Sequence, residues 1–528
     1  MLQTPRAYRG MVTSPHHLAS QAGLSVLQDG GNSVEACVAV AATLAVVYPH
    51  MTGIGGDGFW LVREPDDSVY SINACGAAGE NVSTALYRDQ QLEAIPWRGP
   101  LAAITPAGTI SGWQAALARS GSTLPLSRLL RDAVHYARAG VSVTKGGAEV
   151  AASKDAELRE VPGYSDVFRP GGAPLKDGQQ LMQPALARTL ERLCADGLES
   201  FYDGPLAADI AADLSEAGSP ITAADLKNHS ADQPEPLSLR IKGAELFNTA
   251  PPTQGLTSLM ILALFDRLGA DGVDEFDHVH GLVEATKQAF IRYREIGLGD
   301  PAFMSQDAQS QLDDSEQLDK LAQTIDRQNA LPWPHRTAAG DTTWFGAVDH
   351  EGRVVSSIQS IYFEFGSGVV LPRTGIVWQN RGASFRLKPD GWNSLKPGRK
   401  PFHTLNPALA KFDDGRIMAY GTMGGEGQPQ TQAAIFSRYA RFGVPLQQAI
   451  SAPRWLLGRT WGEQSVSLKL ENRFPARLIE QLKEAGHDVE VLGSFETVMG
   501  HAGAVCRHAD GLIEGATDPR SDGAVAAW

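Results

Sequence analysis

The sequence predicts an α/β or α+β protein in which layers of strands are flanked by helices. Helical patterns dominate residues 125–295, and the pattern changes to paired strands at residue 342. After about residue 405, strand-like and helical runs alternate. Mixtures of this kind are typical of layered folds in which helices cover sheets. The chain shows no internal repeat and no low-complexity tract.

The composition is that of an ordinary globular protein. The 528 residues are 43% hydrophobic and 20% charged, which is enough apolar content to bury a large core. A net charge of −14 argues against binding to nucleic acids or anionic membranes. The longest apolar stretch, residues 36–48, is shorter than a membrane span requires. Four scattered cysteines and an amino terminus without a signal-peptide pattern predict a cytoplasmic location.

The first half of the chain contains clear helix and turn signals. Asn32 or Ser33 is a suitable N-cap for a helix through residues 34–41, which is apolar on nearly every side and should be buried. A glycine-rich turn at residues 53–58 precedes a strand at residues 59–62. Further helices are predicted at residues 126–139, 205–217 and 277–296.

The second half begins with a polar segment. Residues 301–340 predict a helix followed by an exposed loop. Residues 343–348 and 354–361 are predicted to form paired strands, joined by a turn at residues 349–352. Helices at residues 430–442 and 475–485 complete the pattern.

Common cofactor and metal motifs do not account for this chain. Residues 53–58 formally match GxGxxG, but a helix precedes them and a strand follows, which is the reverse of a dinucleotide site. The alternative is a tight turn where the backbone passes close to other atoms. The sequence lacks HExxH, EF-hand, Walker A and GxSxG motifs, and His278 and His280 do not share a helix face. We therefore expect neither a metal nor an organic cofactor.

The polar loop runs directly into a strand that begins with Thr342 and Thr343. A threonine hydroxyl is a weak nucleophile at neutral pH and needs a base. A free α-amine on the same residue, with a pKa of about 8, supplies one if the chain is cut before the threonine. From the residues alone, the simpler interpretation is that two threonines begin a β-strand.

At this segment the sequence resembles the γ-glutamyltransferase family of N-terminal nucleophile hydrolases. The resemblance covers almost the whole chain. It rests on many short sequence blocks that occur in the family's order, and together they identify the family more specifically than any single block. The blocks are GGNSVEA at 30–36, TGIGGDGF at 52–59, PAGTISG at 106–112, APPTQG at 250–255, LGDP at 298–301, DTT at 341–343, FGSG at 365–368, GG at 424–425 and DPRSDG at 518–523.

The resemblance implies a four-layer αββα sandwich, the N-terminal nucleophile hydrolase fold, built jointly by two chains. A precursor would cut itself between Asp341 and Thr342. The products would be a large chain of residues 1–341 and a small chain of residues 342–528. The two chains would be each other's partners, in a homo-oligomer of heterodimers.

The resemblance also implies the catalytic residues. Thr342 would be the nucleophile in self-cleavage and in turnover, and its freed amine would be the general base. Ser360 occupies the position of a hydroxyl that orients the nucleophile. Gly424 and Gly425 match a glycine pair whose backbone N–H groups form the oxyanion hole.

This sequence departs from the γ-glutamyl enzymes where they hold the substrate head group. Residues 71–78 lack the arginine that grips the α-carboxylate, and Ser384 replaces the acid that holds the α-ammonium. His403 and Thr404 replace a serine pair, and Tyr362 replaces a small polar residue. Each lost charge-assisted contact is worth roughly 1.5–3 kcal/mol, so a γ-glutamyl substrate should bind poorly.

Another branch of the family consists of oxamate amidohydrolases, whose small-molecule amide substrate has a carboxylate and no amino group. That carboxylate still needs a cation or several donors. Arg381, His403 and Thr404 are the candidates, although Arg381 is equally compatible with a structural or surface role. The leading hypothesis is hydrolysis of oxamate to oxalate and ammonia through a covalent acyl-enzyme, as part of purine nitrogen catabolism. The alternatives are a γ-glutamyl (glutathione) hydrolase or transpeptidase, a β-lactam side-chain acylase, and a non-catalytic homologue.

Overall fold

The computed structural model describes residues 3–333, 341–458 and 465–528. Within these ranges two antiparallel sheets lie face to face at the centre of the molecule, and helices cover both outer faces. The strands, numbered in chain order, are β1 (Arg6–Ala7), β2 (Met11–Ser14), β3 (Asp57–Arg63), β4 (Val69–Ala74), β5 (Val141–Ser142), β6 (Gln180–Leu181), β7 (Leu237–Ile241), β8 (Ala244–Asn248), β9 (Asp341–Val348), β10 (Val354–Tyr362), β11 (Ala408–Phe412), β12 (Ile417–Thr422), β13 (Trp455–Leu457), β14 (Leu468–Glu471), β15 (Val489–Leu492), β16 (Ala502–Arg507), β17 (Ile513–Thr517) and β18 (Ala524–Ala527).

The α-helices of the described ranges alternate with these strands. In chain order they are α1 (His17–Gln28), α2 (Ser33–Val47), α3 (Thr84–Arg88), α4 (Thr109–Ser120), α5 (Leu126–Leu129), α6 (Arg131–Ala139), α7 (Lys145–Leu158), α8 (Tyr164–Phe168), α9 (Pro184–Asp196), α10 (Pro205–Ala217), α11 (Ala223–Lys227), α12 (Gly255–Leu268), α13 (Phe276–Glu295), α14 (Ala308–Asp313), α15 (Ser315–Gln323), α16 (Gln428–Phe436), α17 (Leu446–Ser451) and α18 (Ala476–Glu484).

Four layers result from the way the two sheets pack. One sheet has the strand order β1-β17-β16-β12-β11-β8-β7, and the other has the order β18-β2-β9-β10-β3-β4. Their facing sides share a buried apolar core that includes Phe59, Trp344 and Leu409. Helices α2 and α4 pack on the outer side of the six-stranded sheet, whereas α12 and α16 pack on the outer side of the seven-stranded sheet. This arrangement is the predicted αββα sandwich.

Helix α2 shows why the local signals of the first half were reliable. Asn32 caps the helix, and its side chain and that of Glu35 form a reciprocal capping box. Every residue of α2 is buried, as its apolar character on all sides predicted. The predicted strand after the glycine-rich turn is β3, and the predicted paired strands are β9 and β10.

The prediction of a mostly helical region at residues 125–295 was too simple. Strands β7 and β8 form a hairpin inside it, with Gly243 in the turn at φ 84°. The predicted helix at residues 126–139 is divided into α5 and α6 at Leu130. The predicted helix at residues 430–442 continues as a π-helical segment, Ser437–Arg441.

The segment before the paired strands is only partly described. It contains α14 and α15 and a 3₁₀ turn, Pro301–Phe303, whereas residues 334–340 of the predicted loop lie outside the described residues. Among the described helices, none has the length and apolar character needed to cross a membrane.

Candidate active site

Thr342 lies near the start of β9 and is fully buried. Its Oγ1 donates to the Ser360 Oγ of β10 across a distance of 3.4 Å and accepts from Gln428 Nε2 at 3.4 Å. The backbone N–H of Tyr362 also donates to Ser360 Oγ, at 2.8 Å. The antiparallel pairing of β9 with β10, with a register shift between Gln359 and Tyr362, brings these groups together. Ser360 therefore contacts Thr342 as the resemblance implied.

The glycine pair lies in the turn between β12 and α16. Gly424 has a φ of 118° and Gly425 has a φ of 53°, so both are in a region that disfavours residues with a Cβ atom. A short 3₁₀ turn, Gly425–Gly427, leads directly into α16, whose first residue is Gln428. The contact of Gln428 with Thr342 thus places this turn beside the Thr342 hydroxyl.

The glycine-rich turn at residues 53–58 packs behind Ser360. A Cβ atom on Gly56 would lie 2.1 Å from the Ser360 carbonyl oxygen, and one on Gly55 would lie 2.2 Å from the Val377 carbonyl oxygen. Glycine is required here because another backbone passes within contact distance. The interpretation of this motif as a tight turn is therefore confirmed, and the turn delivers Asp57 to the start of β3.

Four polar side chains form a second group next to this turn, which we call the buried polar cluster. Its members are Asp57, Arg381, His403 and Thr404, and none is more than 1% exposed. Arg381 Nη1 donates to Thr404 Oγ1 at 3.5 Å, and the guanidinium lies 3.8 Å from the centre of the Tyr362 ring. Asp57 Oδ2 lies 3.5 Å from His403 Nε2.

Several polar atoms of this cluster have no hydrogen-bond partner among the described residues. They are Asp57 Oδ2, Arg381 Nη2 and both ring nitrogens of His403. No carboxylate of the described residues forms an ion pair with Arg381. Buried polar atoms are nearly always hydrogen-bonded, so a group of unpartnered ones is suited to a polar ligand.

Burial sets the charges within the cluster. It raises the pKa of Asp57 to about 7, an effect opposed by the Arg381 charge and by hydrogen bonds from Gln379 and Gly108. Burial also holds the pKa of His403 well below its usual value, and the nearby Arg381 lowers it further. The pKa of Arg381 is lowered by burial too, but a guanidinium stays protonated in proteins. The cluster therefore combines one fixed positive charge, a neutral imidazole and a carboxyl that titrates near neutral pH.

The buried polar cluster and Thr342 belong to one site. Tyr362 connects them on one side, because its N–H bonds to Ser360 and its ring contacts Arg381. Gln254 connects them on the other side, since its Nε2 donates to the Thr404 carbonyl at 2.6 Å and to the Gly425 carbonyl at 2.8 Å.

The structure separates one predicted substrate contact from this group. Ser384 is half-buried, and its Oγ lies 3.5 Å from Asn393 Nδ2, so the described contacts join it to a neighbouring loop. Its role in binding stays a prediction. The Asp341 side chain lies outside what the structure describes.

Sequence reasoning missed three residues of the site. Asp57 and Gln254 lie inside recognised blocks but were given no role, and Gln428 follows the glycine pair by three residues. The sequence feature that could have indicated a role in the site is the polar side chain of each residue within or beside a glycine-rich or proline-rich block. Their contacts with one another depend on the tertiary fold.

Among the described residues, two groups elsewhere could hold a metal ion by geometry. They are His280, Glu284 and His487, and Cys506, His508 and Glu514. In the first group the Lys287 ammonium lies 2.7 Å from Glu284 Oε1 and already supplies a positive charge. Neither group includes a residue of the Thr342 site.

Comparison with known proteins decides the family. The family described as Gamma-glutamyltranspeptidase matches residues 19–528. The chain belongs to the gamma-glutamyltranspeptidase family. An oxamate amidohydrolase proenzyme from Klebsiella pneumoniae subsp. pneumoniae is 54% identical, with 98% of each chain covered. A glutathione hydrolase-like proenzyme from Bacillus subtilis is 40% identical, again with 98% of each chain covered.

Solved structures of related proteins have the same fold as this chain. The crystal structure of a cephalosporin acylase from Bacillus halodurans matches with a TM-score of 0.92 and 32% identity, over 100% of this chain and 97% of that one. A gamma-glutamyltranspeptidase from Helicobacter pylori matches with a TM-score of 0.56 and 28% identity, over 60% of this chain and 92% of that one. The N-terminal nucleophile hydrolase fold predicted for the chain is confirmed.

Proposed function

We propose that the chain is a precursor that cuts itself between Asp341 and Thr342 and then hydrolyses oxamate to oxalate and ammonia. Its enzyme class is a hydrolase of amide bonds. The observation that carries the choice of substrate is Arg381, a fully buried guanidinium without an ion-pairing carboxylate among the described residues. A buried cation of this kind is suited to a small carboxylate substrate.

Self-cleavage would give a large chain of residues 1–341 and a small chain of residues 342–528. Thr342 Oγ1 would attack the carbonyl carbon of the preceding residue, with Ser360 and Gln428 holding the hydroxyl in place. The C–N bond between residues 341 and 342 would break as the C–O bond forms, which leaves an ester on Oγ1 and a free α-amine on Thr342. Water would then hydrolyse the ester, releasing the carboxylate of residue 341 and restoring the Thr342 hydroxyl. Two of the relatives named above are proenzymes, which supports this maturation. A cytoplasmic location, an assembly of such heterodimers and a role in purine nitrogen catabolism stay predictions.

Acylation uses the two groups that cleavage leaves on Thr342. The neutral α-amine takes the proton from Oγ1 as Oγ1 attacks the amide carbon of oxamate. The N–H groups of Gly424 and Gly425 stabilise the negative charge that develops on the amide oxygen. When the C–N bond breaks, the protonated amine returns its proton to the leaving nitrogen, and ammonia departs. An oxalyl ester of Thr342 remains.

Deacylation repeats the same chemistry with water. The α-amine takes a proton from the water that attacks the ester carbon, and the same N–H groups stabilise the second oxyanion. The ester bond breaks, Thr342 Oγ1 is reprotonated, and oxalate leaves.

Arg381 and Thr404 would hold the substrate carboxylate. Arg381 Nη2 is a buried donor with no partner in the part of the chain that the structure describes, and Thr404 Oγ1 lies beside the same guanidinium. Tyr362 and His403 are bulky and buried at this end of the site, which favours a short acyl group. Oxamate carries no ammonium group, so its binding needs no acidic residue at position 384, where this chain has a serine.

A second candidate is hydrolysis of a γ-glutamyl compound. The observation that favours it is Asp57 Oδ2, which has no hydrogen-bond partner among the described residues and lies near Arg381. The two side chains offer a carboxylate for an α-ammonium and a guanidinium for an α-carboxylate. Asp57 would then bind the α-ammonium in place of the acidic residue that is absent at position 384.

The test measures ammonia release from oxamate, p-nitroaniline release from γ-glutamyl-p-nitroanilide, and side-chain release from a β-lactam that carries a dicarboxylic side chain. Thr342→Ala is the blank for all three assays. We expect turnover of oxamate and almost none of the anilide. Turnover of the anilide alone would support the second candidate. Turnover only of a β-lactam with a dicarboxylic side chain would support an acylase, and the absence of all three activities would contradict the proposal.

A further inference from the structure

We propose that Asp57 is a proton-accepting residue of the substrate pocket: it is ionised beside Arg381 in the free enzyme and takes up one proton when a carboxylate substrate binds. This inference rests on the proposed function, because it requires a small carboxylate that binds Arg381. It adds a residue that determines specificity and predicts how substrate binding depends on pH.

The two oxygens of Asp57 have different surroundings. Oδ1 accepts hydrogen bonds from Gln379 Nε2 at 3.0 Å, from Gly108 N at 3.0 Å and from Gly76 N at 3.4 Å. Oδ2 has no partner among the described residues, and its nearest basic neighbour is His403 Nε2 at 3.5 Å. Three donors thus fix the carboxyl group by one oxygen, and the other oxygen is the one that can carry a proton.

The charged groups around Asp57 balance the negative charge of one carboxylate and not of two. The ionisable groups that face it are Arg381, His403, Cys75, Tyr202 and, further out, the ion pair of Lys400 with Asp232. Burial lowers the pKa of His403 and raises the pKa of Cys75 and of Tyr202, so these three groups are uncharged at neutral pH. Arg381 is the remaining cation of this set, because Lys400 is already paired.

With Asp57 ionised, a second carboxylate brought to Arg381 would therefore leave two negative charges beside one positive charge. Two carboxylates that share one buried site do not both stay ionised, since the repulsion raises the pKa of one of them strongly. Protonation of Asp57 Oδ2 removes the repulsion and turns this oxygen into a hydrogen-bond donor. The proton comes from solvent when the substrate binds and returns to solvent when the product leaves.

The pH dependence follows from this coupling. Burial raises the pKa of free Asp57 to about 7, so the residue is largely ionised at pH 8 and largely protonated at pH 6. Above the pKa each added pH unit should weaken binding of an anionic substrate about tenfold, and below it the affinity should be constant. A neutral analogue such as oxamide brings no charge, so its binding should not change through Asp57.

The direct test uses the processed wild-type enzyme and pyruvate, a monoanion of the size of oxamate that has no amide to hydrolyse. Titration calorimetry at pH 8, in buffers of different ionisation enthalpy, measures the protons taken up per pyruvate bound. We expect about one proton for the wild type and none for Asp57→Asn, whose affinity should be flat between pH 6 and 9. Glu80→Gln removes an exposed carboxylate that is not among these groups and should retain the uptake of one proton.

Each other outcome contradicts a defined part of the inference. Oxamate turnover without proton uptake in the wild type overturns the role of Asp57 and leaves the proposed function intact. Unchanged uptake in Asp57→Asn assigns the proton to another group, such as the Thr342 amine, and also overturns it. If neither oxamate nor pyruvate is recognised, the proposed function fails and this inference fails with it. If Asp57→Asn does not fold, the wild-type pH profiles decide: kcat/KM must fall above pH 7 for oxamate relative to oxamide.

Discussion

Replacement of Arg381 by methionine should remove recognition of the substrate carboxylate without unfolding the protein. Arg381 is the buried cation of the polar cluster, and one of its terminal nitrogens has no partner among the described residues. A bidentate grip on a carboxylate makes two charge-assisted hydrogen bonds, each worth roughly 1.5–3 kcal/mol. Their loss corresponds to about 3–6 kcal/mol, or roughly a 10²–10⁴-fold fall in kcat/KM for oxamate, at about 1.4 kcal/mol per tenfold.

The effect on stability should be smaller, because Arg381 makes few contacts that fold the chain. It donates one long hydrogen bond to Thr404 and stacks on Tyr362. These contacts together are worth about 1–3 kcal/mol. Asp57 loses its neighbouring cation in the variant, but it can take a proton and remain buried without charge.

The assay compares oxamate with oxamide in the same variant. Oxamide lacks the carboxylate, so the ratio of the two kcat/KM values should fall at least a hundredfold in Arg381→Met. Arg399→Met is a matched control, since Arg399 is also a buried arginine but hydrogen-bonds Ser394. The control should keep the wild-type ratio. Equal losses on both substrates in Arg381→Met would refute the assignment of this residue to the carboxylate.

Three further changes test the nucleophile, the oxyanion turn and the fold. Ser360→Ala removes the hydroxyl between Thr342 Oγ1 and the Tyr362 N–H, and it should slow both self-cleavage, followed on gels, and turnover by roughly 10–100-fold. Gly425→Ala forces a Cβ atom into a backbone with φ 53° and should lower kcat about a hundredfold or more in steady-state assays, whereas an unaffected kcat would remove this turn from the mechanism. Lys287→Met leaves the buried Glu284 carboxylate without its ammonium and should lower the free energy of unfolding by about 3–5 kcal/mol in urea titrations; an unchanged midpoint would show that the pair contributes little.

The secondary structure was predictable where local chemistry decides it. The cap at Asn32, the apolar run behind it and the paired strands after Thr342 all carry signals within a few residues. The β7–β8 hairpin was missed because it is a short alternating pattern between long helical stretches, although Gly243 marked its turn. The break at Leu130 has no glycine or proline to indicate it.

The candidate site was only partly predictable, because its contacts join distant parts of the chain. Spacing alone favours a simple strand at Thr342, and only the resemblance predicts that this residue is a nucleophile. Asp57 and Gln379 are hydrogen-bonded although they are 322 residues apart, and no local pattern encodes such a contact. Arg381 was open to a surface role until the fold placed it in the interior.

The most direct test of the central claim is the mass and amino-terminal sequence of the purified protein, beside those of Thr342→Ala. We predict two chains for the wild type, residues 1–341 and residues 342–528, with threonine at the new amino terminus. The Thr342→Ala protein should remain one chain and should release no ammonia from oxamate. A wild-type protein that turns over its substrate as one uncut chain, or a Thr342→Ala protein that is cut or active, would contradict the assignment of Thr342 as the nucleophile.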